Sequence, residues 1–244
     1  MNAYELKQML EICKEGILED SQLTILGNPV FPQPYIPYIP DNWKNGVLVL
    51  AEAQNLAKSN DNYVKILNEM GATKRLERLY HAVKTEKRRV RIQPWDDGSL
   101  QLAVEAALDE RPSRTAVSNS VLWSLRKMNG TNKTPTMRLV KKSRIIWGKL
   151  LDIMKPRMIL TAGRIARLVI QPIWAKEKQI NLRSSSPIAM AILAGQTDIR
   201  LIENERPTIE RLREEYPDLF PKNSRFTELY IWHAITTKQQ INDK

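Results

Sequence analysis

Three short strand candidates, each separated from the next by a helical pattern, constrain the fold of this chain more than any other feature. They lie at 47–50 (VLVL), 115–123 and 157–163. A uniformly apolar run such as VLVL is typical of a strand that is buried on both faces of a parallel sheet. With a weaker strand at 90–92 or 199–202, the three candidates predict a three-layer α/β/α fold with a central, mostly parallel four-stranded sheet.

Helical periodicity fills most of the chain between these strands. Helices are predicted at 3–19, at about 62–81, at 99–108, at 136–154 with Thr136 as the capping residue, directly after Gly163, and as a C-terminal extension over 208–238. No internal repeat or long linker is present, so residues 1–244 are predicted to form a single domain.

A proline-dense segment precedes the first strand. Five prolines fall between positions 29 and 40, which excludes a helix and a central strand there. The segment is predicted to be an ordered loop or an extended lead-in, with Tyr35 and Tyr38 as possible anchors.

The charge of the chain indicates an anionic partner. The formal net charge is +11, and the stretch 126–149 holds eight Lys or Arg residues and no Asp or Glu. Such a distribution favours nucleic acid or a membrane surface as the partner, although many soluble proteins are simply basic.

Cysteine and histidine are too scarce for most metal or redox sites. A single cysteine, Cys13, and two histidines, His81 and His233, exclude an internal disulfide, an iron–sulfur cluster and a zinc site built on cysteines. We therefore expect no cofactor and no metal. The chain also lacks a signal-peptide pattern and an apolar run of about 20 residues, which predicts a soluble, cytoplasmic protein with no membrane contact.

Three segments lie at the carboxyl ends of the predicted strands, where parallel sheets form their sites. The segments are 51–55 (AEAQN), 119–123 (NSVLW) and 163–164. Their order, with 129–136 (NGTNKTPT) and 155–163 (KPRMILTAG), resembles the uracil-DNA glycosylase superfamily over about 47–189. The resemblance implies that family's fold, DNA as the partner, a monomer, and excision of a base flipped out of the duplex.

The resemblance also implies roles for individual residues. Asn119 would hold the Watson–Crick edge of the flipped base, since an amide offers one donor and one acceptor. Glu52 or Asn55 would serve the attacking water or the cation that develops on the sugar, and Gln54 would assist base recognition. The family often carries Asp or Asn where this chain has Ala53, which is a clear departure.

The third family motif is only partly present. Positions 183–188 read RSSSPI, with Ser184 where the family has His. Ser184, Ser185 and Ser186 would contact a phosphate, and Ile188, or else Met190, would fill the vacated base stack. Elsewhere, Tyr63 could stack on the base and Lys133 could contact DNA.

Three functions remain open from the sequence. The first is a monofunctional DNA glycosylase that hydrolyses the N-glycosidic bond of a modified or damaged pyrimidine. Because Ala53 and Ser184 are small, a bulky modified cytosine and a role in anti-phage defence are part of this hypothesis. The second is a non-catalytic member of the same fold that binds DNA or lesions. The third is a basic α/β protein unrelated to DNA, such as a small-molecule hydrolase, for which no phosphate loop or nucleophile motif is present.

Overall fold

Four parallel strands form the centre of the protein. The computed structural model describes residues 2–27, 29, 32–40, 43, 45–56, 61–71, 74, 77–78, 99–111, 114–129, 133–182, 206–217, 231–232, 234–235 and 238. The strands are β1 (Val47–Leu56), β2 (Ala116–Arg126), β3 (Met158–Ala162) and β4 (Gln179–Leu182). They pair in the order β2-β1-β3-β4, and every pair is parallel. The predicted α/β fold with a parallel four-stranded sheet is therefore confirmed.

Helices connect the strands and cover both faces of the sheet. They are α1 (Ala3–Glu15), α2 (Asp20–Ile25), α3 (Asp61–Asn68), α4 (Ser99–Leu108), α5 (Met137–Met154), α6 (Arg164–Ile170) and α7 (Arg206–Glu215), with a 3-10 helix at Lys176–Lys178. Residues 231–232, 234–235 and 238 are also helical. Among the described residues, no helix combines the length and the apolar composition that crossing a membrane requires.

Alternation along the strands sends neighbouring side chains into two separate cores. Leu48 and Leu50 of β1 join the larger cluster, which is shared with α1, α5 and α6. Val47 and Val49 join the second cluster, with Ala103 and other residues of α4. Buried apolar residues on both faces explain why the strand sequences read as continuous hydrophobic runs.

The proline-dense segment covers the open edge of the sheet. Tyr38 and Val117 exchange two backbone hydrogen bonds of 2.9 and 3.0 Å, and the Tyr35 amide donates to the Leu122 carbonyl at 2.7 Å. Strand β2 lies at the end of the sheet, so these bonds satisfy backbone groups that would otherwise be exposed. The expectation of an ordered segment anchored near Tyr35 and Tyr38 is confirmed.

Several predicted boundaries are wrong. The first helix ends at Glu15 rather than at 19, with Gly16 as its C-cap. A Cβ at Gly16 would lie only 2.6 Å from Ile146 Cδ1. The helix predicted at 62–81 ends at Asn68 as a continuous helix. The fourth strand is β4, which the sequence did not predict because Gln179 and Asn181 interrupt its apolar pattern. The weaker strands at 90–92 and 199–202 lie outside the described residues.

Helix α7 packs on α4 through an apolar cluster with one buried acid beside it. Leu102 of α4 meets Ile209 and Leu212 of α7. Next to them, the Glu105 carboxylate lies 3.6 Å from the Arg211 guanidinium. Burial raises the pKa of Glu105, and the positive charge of Arg211 offsets part of that increase.

Cys13 provides a test of how tightly α1 is packed. Its side chain is fully buried, and burial raises the pKa of the Cys13 thiol to about 12. The ordinary pKa of a cysteine thiol is 9.0. Above that pH the unfolded chain releases a proton that the folded chain retains, so the free energy of unfolding falls as the pH rises toward 12.

We expect wild type to lose stability more steeply than Cys13→Ala above about pH 9, by up to roughly 1.4 kcal/mol per pH unit. Urea unfolding of both proteins in reducing buffer, at several pH values, measures the difference. Parallel pH profiles would show that the thiol ionises as easily in the folded protein as in the unfolded chain.

Candidate functional site

Strands β1 and β2 continue beyond the point where the sequence predicted them to end. The pairing of β1 with β3 extends only to Leu50 and Thr161, whereas its pairing with β2 runs on to Leu56 and Arg126. Segment 51–55 is therefore part of β1 and does not follow it, whereas 119–123 lies within β2, in the strand predicted at 115–123. The predicted site residues of these segments lie on a two-stranded extension of the sheet.

Asn119 lies on this extension with an unpaired amide. Its side chain is 1% exposed, and neither Oδ1 nor Nδ2 has a hydrogen-bond partner within the described residues. Each buried polar group without a partner costs about 1–3 kcal/mol. Its cross-strand neighbour Ala51 carries only a methyl group. Asn119 thus keeps one donor and one acceptor available for a ligand.

Glu52 has a structural task on the other side of the strand. Its Oε1 accepts a hydrogen bond of 2.9 Å from the Ile165 amide, in the first turn of α6. Gly163 precedes this helix with a φ of 95°, and it provides no side-chain cap of its own. The Glu52 carboxylate of β1 therefore caps the N-terminus of α6, where negative charge also complements the helix dipole.

Glu52 and Asn119 do not face a common cavity. Asn119 is in register with Ala51, which packs against the second core, beside α4. Glu52 is the next residue of β1 and contacts α6 on the opposite face of the sheet. The proposal that this acid and this amide act together on one bound base therefore finds no geometric support.

Gln54 lies further along β1, beside an irregularity in β2. The register passes from Ala53–Val121 to Asn55–Leu125, so three residues of β2 oppose Gln54 alone. The Gln54 side chain is fully buried, and neither of its amide atoms has a partner within the described residues. It stands three residues from Ala51, about 10 Å along the strand, so it does not join Asn119 directly.

Sequence reasoning missed two polar groups at the same irregularity. Trp123 Nε1 and Ser124 Oγ are buried and have no partner in the described part of the chain. A bulge of this kind redirects side chains that strict alternation would separate, and bulges are frequent next to binding sites. The only available signal was Ser124, a polar residue directly after the strand predicted at 115–123.

Asn55 and Lys133 contact each other but in a structural arrangement. Asn55 Oδ1 accepts from the Lys133 backbone amide at 2.8 Å, and Lys133 Nζ donates to the Gly27 carbonyl at 3.3 Å. These bonds tie the loop before α5 to the end of β1 and to α2. Each residue retains further donors, since Asn55 Nδ2 and the other Nζ protons are not used in these bonds.

The remaining predicted site residues are not placed by the described structure. Tyr63 lies on α3, and its side chain is outside the described residues. Ser184, Ser185, Ser186, Ile188 and Met190 all fall in 183–200, which is also outside them. The described residues contain no cluster of His, Cys, Asp or Glu that could hold a metal ion.

Comparison with known proteins adds no assignment. No family model, curated protein or solved structure matches this chain.

The contact between Glu52 and Gly163 gives a prediction for stability. A Cβ at position 163 would lie 2.7 Å from Glu52 Cγ and Cδ, and the φ of 95° strains any residue with a side chain. We expect Gly163→Ala to lower the free energy of unfolding by about 2–4 kcal/mol. Glu52→Ala should cost about 1 kcal/mol, because it removes the cap of α6.

The double variant separates the clash from the backbone strain. Because Glu52→Ala removes the atoms that meet the new Cβ, the combined loss should be smaller than the sum of the two single losses by about 1 kcal/mol or more. Urea unfolding of the four proteins measures this coupling. Simple additivity would show that the two side chains do not meet.

The unpaired amide of Asn119 gives a second prediction. Asn119→Leu replaces two unsatisfied polar groups by an apolar side chain of similar size, so the free energy of unfolding should rise by about 1–2 kcal/mol. Ser143→Ala is the matched control, because Ser143 Oγ accepts a 3.3 Å hydrogen bond from the Leu122 amide. That substitution should cost about 1 kcal/mol.

Chemical denaturation of wild type and both variants measures these changes in the free energy of unfolding. A loss of stability in Asn119→Leu as large as in Ser143→Ala would mean that the Asn119 amide already has partners in the folded protein.

Proposed function

We propose that this protein binds DNA and reads a base flipped out of the duplex with the side-chain amide of Asn119. The proposal is supported chiefly by one observation, the buried and unpaired amide on the β1–β2 extension of the sheet. A donor and an acceptor on one planar group match the polar edge of a pyrimidine. Retaining them unpaired is unfavourable for stability, which is a frequent property of binding sites.

The charge of the chain supports an anionic partner. The chain contains 38 Lys and Arg residues and only 27 Asp and Glu residues. A glycosylase-like protein must contact the phosphates on both sides of a flipped nucleotide, and cations supply that binding without reading sequence. Lys133 is one candidate, since its ammonium group has donors left beyond the bond to Gly27.

A second candidate function is hydrolysis of the N-glycosidic bond of the bound base, as in a DNA glycosylase of the uracil-DNA glycosylase superfamily. Water would add to C1′ of the sugar, the bond to the base nitrogen would break, and the base would leave with a proton. Within the described residues, Asn55 favours this function, because its Nδ2 is free to orient a water molecule. Glu52 is a poorer candidate for positioning this water, since it caps α6 on the other face of the sheet.

The two functions differ in the fate of the base, and an excision panel separates them. Duplexes carrying one uracil, one hydroxymethylcytosine or one glucosylated hydroxymethylcytosine are compared with an unmodified duplex. Fluorescence anisotropy reports binding, and mass detection of the released base with alkali cleavage reports excision. Ala51, the cross-strand neighbour of Asn119, carries only a methyl group, so the glucosylated duplex is the one we expect to be preferred.

Asn119→Leu should reduce binding of the preferred duplex by about 10- to 100-fold, because the base loses its hydrogen-bonding partner. Binding of the unmodified duplex should change little, since phosphate contacts dominate there. Equal affinity of wild type for all four duplexes would contradict the proposed reading of a base.

The role of Glu52 is tested in the same panel. Glu52→Gln keeps an oxygen that can accept from the Ile165 amide, whereas Glu52→Ala removes it. If excision occurs, we expect Glu52→Gln to retain it and Asn55→Ala to lose at least about tenfold in rate. A loss of excision in Glu52→Gln with unchanged stability would return the catalytic role to Glu52.

A further inference from the structure

Helices α2 and α5 border a recess on the protein surface. It has a volume of about 340 Å³. Its walls are formed by Gln22, Ile25, Leu26, Arg138, Lys141 and Lys142. The Thr136 hydroxyl, which caps α5, donates at 3.3 Å to the Leu26 carbonyl, so the ends of the two helices are held together beside the recess. This recess is separate from the extension of β1 and β2.

Apolar side chains are exposed in and next to this recess. Ile25 is 55% exposed although it lines the recess. On α5, Met137 and Ile145 are 51% and 67% exposed. Both stand four residues from Lys141, so the three side chains share one face of the helix. Large apolar residues grouped on a surface are a frequent sign of an interaction site.

The rim of the recess is cationic. Arg138, Lys141 and Lys142 contribute three positive charges, and the six lining residues include no carboxylate. Lys142 Nζ donates to Gln22 Oε1 at 3.1 Å, which holds this ammonium group across the recess. By contrast, Lys149 on the same helix already pairs with Glu15.

We propose that this recess docks an acidic, amphipathic segment of a partner protein. An apolar residue of the segment would pack on Ile25, and its acidic residues would pair with Arg138 and Lys141. The apolar exposure favours a protein segment over a nucleic-acid backbone, because phosphates would satisfy the cations and leave Ile25 exposed. The proposal is independent of the proposed function at Asn119.

A designed peptide tests this surface on the full chain. The probe is a fluorescein-labelled helical peptide of about 15 residues, with leucines at helical spacing on one face and glutamates on the other. Two control peptides replace the glutamates by lysines or the leucines by serines. Binding is followed by fluorescence anisotropy at physiological salt, and urea unfolding confirms that each protein variant is folded.

Two variants remove one property of the recess each. Arg138→Glu/Lys141→Glu reverses the rim charge, and Ile25→Ser removes the exposed apolar contact. The charge-matched control is Lys176→Glu/Lys178→Glu, at two exposed lysines of the 3-10 helix outside the recess. We expect saturable binding of the acidic peptide, a loss of at least about tenfold in each recess variant, and little change in the control.

Three results would overturn the proposal. The first is no saturable binding of the acidic peptide. The second is equal binding by wild type and Ile25→Ser, since the apolar contact would then be irrelevant. In the third, the charge reversal weakens an unmodified duplex of about 20 base pairs by tenfold or more while Ile25→Ser binds that duplex like wild type. The recess would then be a phosphate contact of the DNA-binding surface.

Discussion

The central position of β1 determines how the rest of the protein is arranged. This strand is hydrogen-bonded to β2 on one side and to β3 on the other, so its backbone is fully committed to the sheet along 47–50. Each of its side chains then points to one of the two helical layers that cover the sheet. That division separates the Glu52 carboxylate from the Asn119 amide, although their Cα atoms belong to neighbouring positions of two paired strands. Among the described residues, a site that uses side chains of β1 is therefore built within one layer or at the far end of the β1–β2 extension.

Much of the fold was predictable because local patterns agree with the final packing. Thr136 precedes a long amphipathic run, and α5 begins and ends where the cap and the following Pro156 predict. Likewise, the change from an apolar strand to a helix at Gly163 follows from the glycine between them. In these places capping, periodicity and burial indicate the same boundary, which is the condition under which sequence reasoning succeeds.

The candidate site was less predictable, because its residues contradict the local pattern. The polar sequence AEAQN suggested that β1 ends at Leu50, yet the strand continues to Leu56 with Gln54 fully buried. Pairing with β2 maintains the strand there, and pairing between distant segments leaves no trace in a single window of sequence. The helix cap supplied by Glu52 is hidden for the same reason, since Glu52 and Ile165 are 113 positions apart. A carboxylate after a strand therefore has two interpretations that only coordinates distinguish.

The pairing of the proline-dense segment with β2 has a consequence for biosynthesis. The backbone of Tyr38 is hydrogen-bonded to that of Val117. During translation, Tyr38 is therefore synthesised 79 residues before its partner. At typical translation rates of about 5–20 residues per second, it waits about 4–16 s without a docking surface. The prolines of the segment are well suited to this interval, since they cannot form the regular β-ladders through which nascent chains associate. The segment that borders one edge of the sheet in the finished protein is thus, by its prolines, also a poor template for strand pairing in the unfinished chain.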